Sequence, residues 1–246
     1  MTVKLGSRVF EPRAFTTLLA LVLIVALVSL GRWQLHRAEE KRALYALFDS
    51  GKDATRAIDA ATPRLPRYQH AQAVGSYDSE HQILIDNMSN AAGRAGYYVI
   101  TPFALRGGGW ILVNRGWVSV GASRAVKPEV AVTTREREIR GRTDELPRAG
   151  MQLGERVPLA PPYPVVANFP THAEIAALLR GSRWAPAGNL LLLDASEPDG
   201  YLRQWQPPGF PPVRHIAYAV QWFSLAAALT VLYVVTNFRR TGTASA

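Results

Sequence analysis

Residues 14–30 read AFTTLLALVLIVALVSL and residues 216–236 read IAYAVQWFSLAAALTVLYVVT. The first run is uncharged, with only Thr16, Thr17 and Ser29 as polar side chains; the second is also uncharged, with Gln221 as its one amide. Seventeen helical residues at about 1.5 Å each reach about 26 Å. The pattern continues through residues 31–33, enough for a hydrocarbon core of about 30 Å. Pro211 and Pro212 precede the second run, where a helix tolerates proline, and Arg239 and Arg240 close it. Two membrane-spanning helices are therefore expected, one near each end. The rival for the first run is a cleaved signal peptide. Ser29-Leu30-Gly31 is a weak small-x-small site, however, and AEEKRALYALF (38–48) carries the helix onward in good helix formers. The rival for the second is a buried core helix, which 21 apolar residues ending on an arginine pair argue against.

The chain has 246 residues, a formal charge of +9 and no cysteine. That length suits one core. The lack of Cys excludes disulfides, Cys-ligated zinc, iron–sulfur clusters and covalent c-type haem. The charge is uneven. The tails (1–13 and 239–246) hold Lys4, Arg8, Arg13, Arg239 and Arg240 against Glu11, while residues 32–214 carry 23 basic and 18 acidic side chains. A nucleic-acid binder would concentrate its basic residues on the folded domain; here they flank the apolar runs. By the positive-inside tendency both termini are cytoplasmic, although Arg32, Arg37, Lys41 and Arg42 just beyond the first run pull the other way. The expected organisation is a cytoplasmic tail (1–13), a span (14–33), an extracytoplasmic domain (34–213) opening with a juxtamembrane helix at about 32–48, a second span (214–237) and a second tail (238–246).

Between the spans, strand-like runs occupy 68–77, 82–86, 96–105, 110–120, 133–144 and 189–195. Gly107-Gly108-Gly109 marks a hairpin between the third and fourth. Six prolines between 147 and 170 bar that stretch from a central strand. Residues 172–180 read as a short helix with Thr171 as N-cap and Gly181 as its stop. The fold expected is a mostly antiparallel β (α+β) domain flanked by two transmembrane helices.

No nucleophile elbow, zincin helix, P-loop or dinucleotide fingerprint is present, which argues against an enzyme. His70 and His81 flank one predicted strand and read as surface histidines; His172 reads as solvated. His215 differs, because it opens the second span, where an ionisable residue is a functional candidate and a neutral imidazole is an axial ligand for haem iron. Tyr218, Ala219, Trp222 and Ala226 share its helical face, a flat and recessed surface suited to a macrocycle. Arg214, Arg32 and Arg37 are expected at the same level, to pair with propionates or with lipid phosphates. An interfacial belt of His, Tyr and Trp explains the same residues with no ligand. Gln221 is expected to hydrogen-bond across to the first helix.

Four ordered blocks then carry a resemblance. Leu30-Gly31-Arg32-Trp33-Gln34-Leu35-x-Arg37 with Lys41, Val74-Gly75-x-Tyr77-Asp78, Gly96-Tyr97-x-Val99-Ile100-Thr101-Pro102-Phe103 followed by Leu112-Val113-Asn114-Arg115-Gly116-Trp117-Val118, and His215-x-x-Tyr218-Ala219-x-Gln221-Trp222-Phe223 resemble the surfeit locus protein 1 family. The resemblance implies a non-enzymatic assembly factor for haem–copper (aa3-type) cytochrome c oxidase. It implies haem a as a transient cofactor, and oxidase subunit I and the haem a synthesis machinery as partners beside membrane lipids. It transfers the family's haem-associated histidine to His215, with Tyr218, Trp222, Arg32 and Arg37 around it, and leaves His36 as a candidate second axial ligand. It gives Asn114, Arg115 and Trp117 a structural role, as a strand end with a core tryptophan. Residues 1–13 are short for a mitochondrial presequence, so a bacterial cytoplasmic membrane is expected. The alternative is a cofactor-free scaffold or chaperone holding subunit I; a membrane-anchored hydrolase has no motif behind it.

Overall fold

Both apolar runs are helical. The computed structural model describes residues 3–5, 8–50, 54–62, 64–121, 123–148, 158–179 and 190–240. The first run belongs to one unbroken helix, α1 (Ala14–Ser50), of 37 residues and about 55 Å. The predicted juxtamembrane helix is thus the continuation of the span. The second is α3 (Pro212–Asn237), with proline at its first turn. Of the most apolar 18-residue stretch of either helix only 11% is buried. Leu18, Leu21, Val22, Val25, Val220, Val231 and Val235 are all exposed. A soluble core helix would bury these side chains, so this is the surface of a membrane protein. Beside the helices the tails pair as a three-stranded antiparallel sheet of β1 (Val3–Leu5), β2 (Arg8–Phe10) and β11 (Phe238–Arg240), in the order β1-β2-β11.

The chain divides into two compact units, residues 1–46 with 208–246, and residues 47–207. The second unit is built on β3 (Arg56–Ile58), β4 (His70–Tyr77), β5 (Ile83–Ser89), β6 (Ala95–Leu105), β7 (Trp110–Ser119), β8 (Arg137–Asp144), β9 (Val165–Ala167) and β10 (Leu190–Leu193), with the short helix α2 (His172–Leu178). The strand order is β3-β4-β8-β10-β7-β6-β5-β9, and a further β4–β6 pairing closes β4, β8, β10, β7 and β6 into a barrel. Most pairings are antiparallel, as expected; β3–β4, β5–β9 and β7–β10 are parallel. The predicted β6–β7 hairpin is present. β4 starts two residues later than predicted because Tyr68 takes a positive φ of 65°. Among its described residues the proline-rich stretch supplies only β9, at the end of the strand order. Thr171 caps α2 in a reciprocal capping box with Glu174. The predicted stop Gly181, the first strand residue Asn189 and residues 149–157 lie outside the described residues.

All four residues of β10 are buried, because both faces of this strand are covered. Leu191 and Leu193 join Ala71, Ala73, Tyr77, Phe103, Ile111, Val113 and Ile139 in one apolar cluster. Leu190 and Leu192 join Ile83, Ile85, Ile100, Leu112 and Ile175 of α2 in a second. A third gathers Leu84, Tyr97, Val99 and Val130, with Tyr201 against it.

A buried polar knot bridges the first cluster and the third. Arg115, only 1% exposed, donates from Nε to Asp199 O (2.7 Å), from Nη1 to Gln82 Oε1 and Val130 O (2.9 Å each) and from Nη2 to Ala131 O (3.1 Å). Its guanidinium lies 5.6 Å from the Tyr77 ring and 5.1 Å from the Tyr201 ring. Burial draws its pKa down, yet arginine stays charged, so each donor needs an acceptor. Asn114 accepts from Gly116 N (3.0 Å), and Gly116 sits at φ 116° beneath the 201–202 backbone, where a Cβ would meet Leu202 O at 2.9 Å. Trp117 donates Nε1–H to Met88 O (2.9 Å) and pairs its backbone with Leu202. The Asn-Arg-Gly-Trp run is therefore structural, but it lies inside β7 and not at a strand end.

Replacing Arg115 by Ala should destabilise the protein by about 3–5 kcal/mol, because it strands several buried acceptors. Arg124→Ala, which removes an exposed ion pair with Asp86, should cost under about 1 kcal/mol. Denaturant unfolding in detergent compares them, and equal losses would refute the knot. His172 is half-buried rather than solvated, and burial, aided by the Arg64 cation, holds its imidazole below the ordinary 6.5. The unfolded chain then takes up the proton first, so stability is full above pH 6.5 and falls as the pH drops below it. An NMR titration of the His172 ring should give a midpoint below 6.5, and His172→Gln should flatten the acid-side slope of stability.

Candidate functional site

Candidate residues meet where α1 and α3 pack against each other. On α1, Thr17, Ala20, Ile24, Leu27, Gly31, Gln34 and Ala38 are all less exposed than their neighbours, a three–four spacing that repeats every seven residues. On α3 the same spacing runs through Pro212, His215, Ala219, Trp222, Ala226, Leu229 and Tyr233. A 3.5-residue period keeps one stripe of each helix on its partner. The helices are antiparallel: Thr17 meets Tyr233, Gly31 meets Phe223 and Gln34 meets His215.

The seam is made by small residues. A Cβ on Gly31 would lie 2.7 Å from the Phe223 ring, and Ala20, Ala38, Ala219 and Ala226 are all buried. Hydrocarbon gives two apolar helices no hydrophobic reason to associate, so close contact and polar bonds must hold them. The polar bonds lie towards the two ends. Thr17 Oγ1 and Tyr233 Oη are 2.6 Å apart at one end. Towards the other, His215 Nδ1 lies 2.8 Å from Gln34 Oε1, and Lys41 Nζ donates to Pro208 O at 2.8 Å.

This packing changes the expected surface around His215. Ala219 and Ala226, read as the recess of a flat docking face, are filled by α1 because they are seam residues. His215 and Trp222 are half-buried in the seam, and Tyr218 lies outside it, 42% exposed. Gln221 does not bridge to α1: it is exposed, and no hydrogen bond from it is present among the described residues. Gln34 makes that bridge instead. Sequence reasoning passed over Gln34, although it stands three residues after Gly31 and four before Ala38.

Arg32 is exposed and has no ion pair among the described residues; Arg37 is half-buried and paired with Glu40. Arg214 stacks over Phe210 at 4.1 Å. His36, exposed and 3.2 Å from Glu40, is two residues from Gln34, about 200° round the helix, and so is not brought to His215. His70 and His81 do not meet either. His70 opens β4 and accepts from Arg142 Nε (2.9 Å), whereas His81 follows the far end of β4 and pairs with Asp78 (2.7 Å). No group of three or more metal-ligating side chains exists among the described residues. A single imidazole at a helix end, beside an exposed tyrosine on an apolar surface, is a donor set that fits an axially held haem.

The pattern of the SURF1 family matches residues 21–227. The chain belongs to the SURF1 family. The match begins within α1 and ends within α3, so it takes in Gly31, Gln34, His215 and Ala226. SURF1-like proteins of Rickettsia felis and Rickettsia bellii are each 36% identical over 107 residues, 42% of this chain. The chain spans somewhat under half the length of these two curated relatives, 46% and 44%. A SURF1-like protein of Rickettsia conorii is 26% identical over 228 residues, which cover 89% of this chain and 90% of that protein.

Gly31→Leu should force the Phe223 ring out of the seam. The expected cost is about 1–3 kcal/mol, as for overpacking a core, against about zero for Leu21→Ile on the exposed face. Thermal unfolding in detergent tests this; unchanged stability in Gly31→Leu would mean that the helices are not in close contact there.

Proposed function

We propose that this chain is a non-enzymatic assembly factor for the haem–copper (aa3-type) cytochrome c oxidase. On this reading it binds haem a transiently through His215 and aids its insertion into subunit I. The observation that carries the reading is His215: in a SURF1 family chain, it places a half-buried imidazole at the start of an apolar helix and on the seam with its partner helix. A haem supplies the redox iron and a large apolar ring. His215 would ligate the iron, Tyr218 and Trp222 would lie against the ring, and Arg32 would serve a propionate more readily than Arg37, which already has Glu40. Subunit I and the haem a synthesis machinery are the partners. The tail charges support cytoplasmic termini in a bacterial inner membrane, with the barrel unit outside.

A cofactor-free scaffold that holds subunit I is the second reading. It is favoured by the bond from His215 to Gln34, which gives the imidazole a packing role without any ligand. Visible spectroscopy separates the two. Protein purified from cells making haem a should carry a haem a spectrum that His215→Ala loses or shifts. Identical spectra in wild type and His215→Ala would remove His215 as ligand, and crosslinks to subunit I with no haem would establish the scaffold.

A further inference from the structure

We infer that Gln34 is the positioning residue for His215: its side-chain carbonyl accepts the hydrogen bond from Nδ1–H, fixes the imidazole as the Nδ1–H tautomer and leaves the Nε2 lone pair for a metal. The ligand half of this inference rests on the haem reading above.

A neutral imidazole has one N–H and one lone pair, and the partner of one nitrogen decides the role of the other. Gln34 Oε1 can only accept, so the 2.8 Å contact makes Nδ1 the donor. Nε2 is then the basic nitrogen. The bond joins two helices, so the ring is held by the seam and not by its own backbone. Gly31 one turn before Gln34 receives the Phe223 ring and Ala38 one turn after is buried, which leaves Gln34 within reach of the facing helix through its side-chain amide. A seam built of large side chains would hold Gln34 out of reach.

The arrangement has a chemical consequence. A hydrogen bond to Nδ1–H orients the ring and raises the basicity of Nε2. An iron ligated there is a weaker oxidant, and its affinity depends on the acceptor; loss of such a partner typically costs about 10–100-fold in metal affinity. Gln34→Leu removes the acceptor. Gln34→Glu keeps one and strengthens it through its charge.

The test uses the full chain in lipid nanodiscs, with 15N-labelled histidine, at a pH where the His215 ring shows a single N–H. In the haem-free protein the His215 ring should show protonated Nδ1 and unprotonated Nε2. Gln34→Leu should shift it to the Nε2–H form, and Gln34→Glu should restore the wild-type pattern. Titration with haem should then give binding weaker by about 10-fold or more in Gln34→Leu, and binding at least as tight as wild type with a lower reduction potential in Gln34→Glu. An Nε2–H ring in the wild type, or a tautomer and haem affinity unmoved by Gln34→Leu, overturns the inference. A Gln34-dependent tautomer with no His215-dependent haem in any variant upholds Gln34's hold on the ring and overturns the haem reading instead.

Discussion

Two apolar helices in hydrocarbon gain nothing from hiding from water, and this constraint governs the membrane half of the molecule. Attraction must come from side-chain packing and from polar bonds across the seam. Gly31 receives the Phe223 ring and Ala20, Ala38, Ala219 and Ala226 are buried, while Thr17–Tyr233 and Gln34–His215 supply the polar contacts near opposite ends. Placed at the helix start and on the seam, His215 answers both demands. Its bond helps hold the helices, and the helices hold its ring. A structural role for His215 and a ligand role are thus compatible, since the ring has two nitrogens and Gln34 meets only one.

The barrel unit solves the opposite problem. There water is the competitor, and apolar burial drives assembly, yet a full positive charge is buried within it. Arg115 is tolerated because it meets main-chain carbonyls and one amide with good geometry, between two tyrosine faces. Carbonyl oxygens engage all three of its nitrogens without bringing in a second charge that would itself need desolvating. The rest of the Asn-Arg-Gly-Trp run serves the same junction: Gly116 admits the 201–202 backbone, and Trp117 ties β7 to Met88.

Signals that depend on one element were legible in the sequence. Long uncharged runs gave the two long helices, strand-like runs punctuated by glycine turns gave β4 to β8, and Thr171 gave the cap of α2. Features that arise from pairing were not. Three-residue strands such as β3, β9 and those of the tails carry no period, and the parallel β7–β10 contact joins residues about 80 apart. The face of α3 was read as open because a helix seen alone cannot show that α1 covers Ala219 and Ala226. Gln221 read as the bridging amide because it lies deep in an apolar run, but helical phase, not depth, decides which amide meets the partner, and Gln34 has it. His172 was read as exposed from its position at a helix start, where burial by neighbouring segments leaves no local mark.

The knot around Arg115 reads the backbone and not the side chains of Val130, Ala131 and Asp199. Any residue offers the same carbonyl, so the knot itself does not select these side chains, although Val130 packs in the third cluster and Asp199 takes a positive φ of 62°. The segments at 130–131 and 199 are not free to drift in length. One inserted residue on either side would carry the carbonyl out of register with a fixed guanidinium. Divergence in these loops should therefore accumulate as substitutions, with the spacing from β7 and β8 held constant.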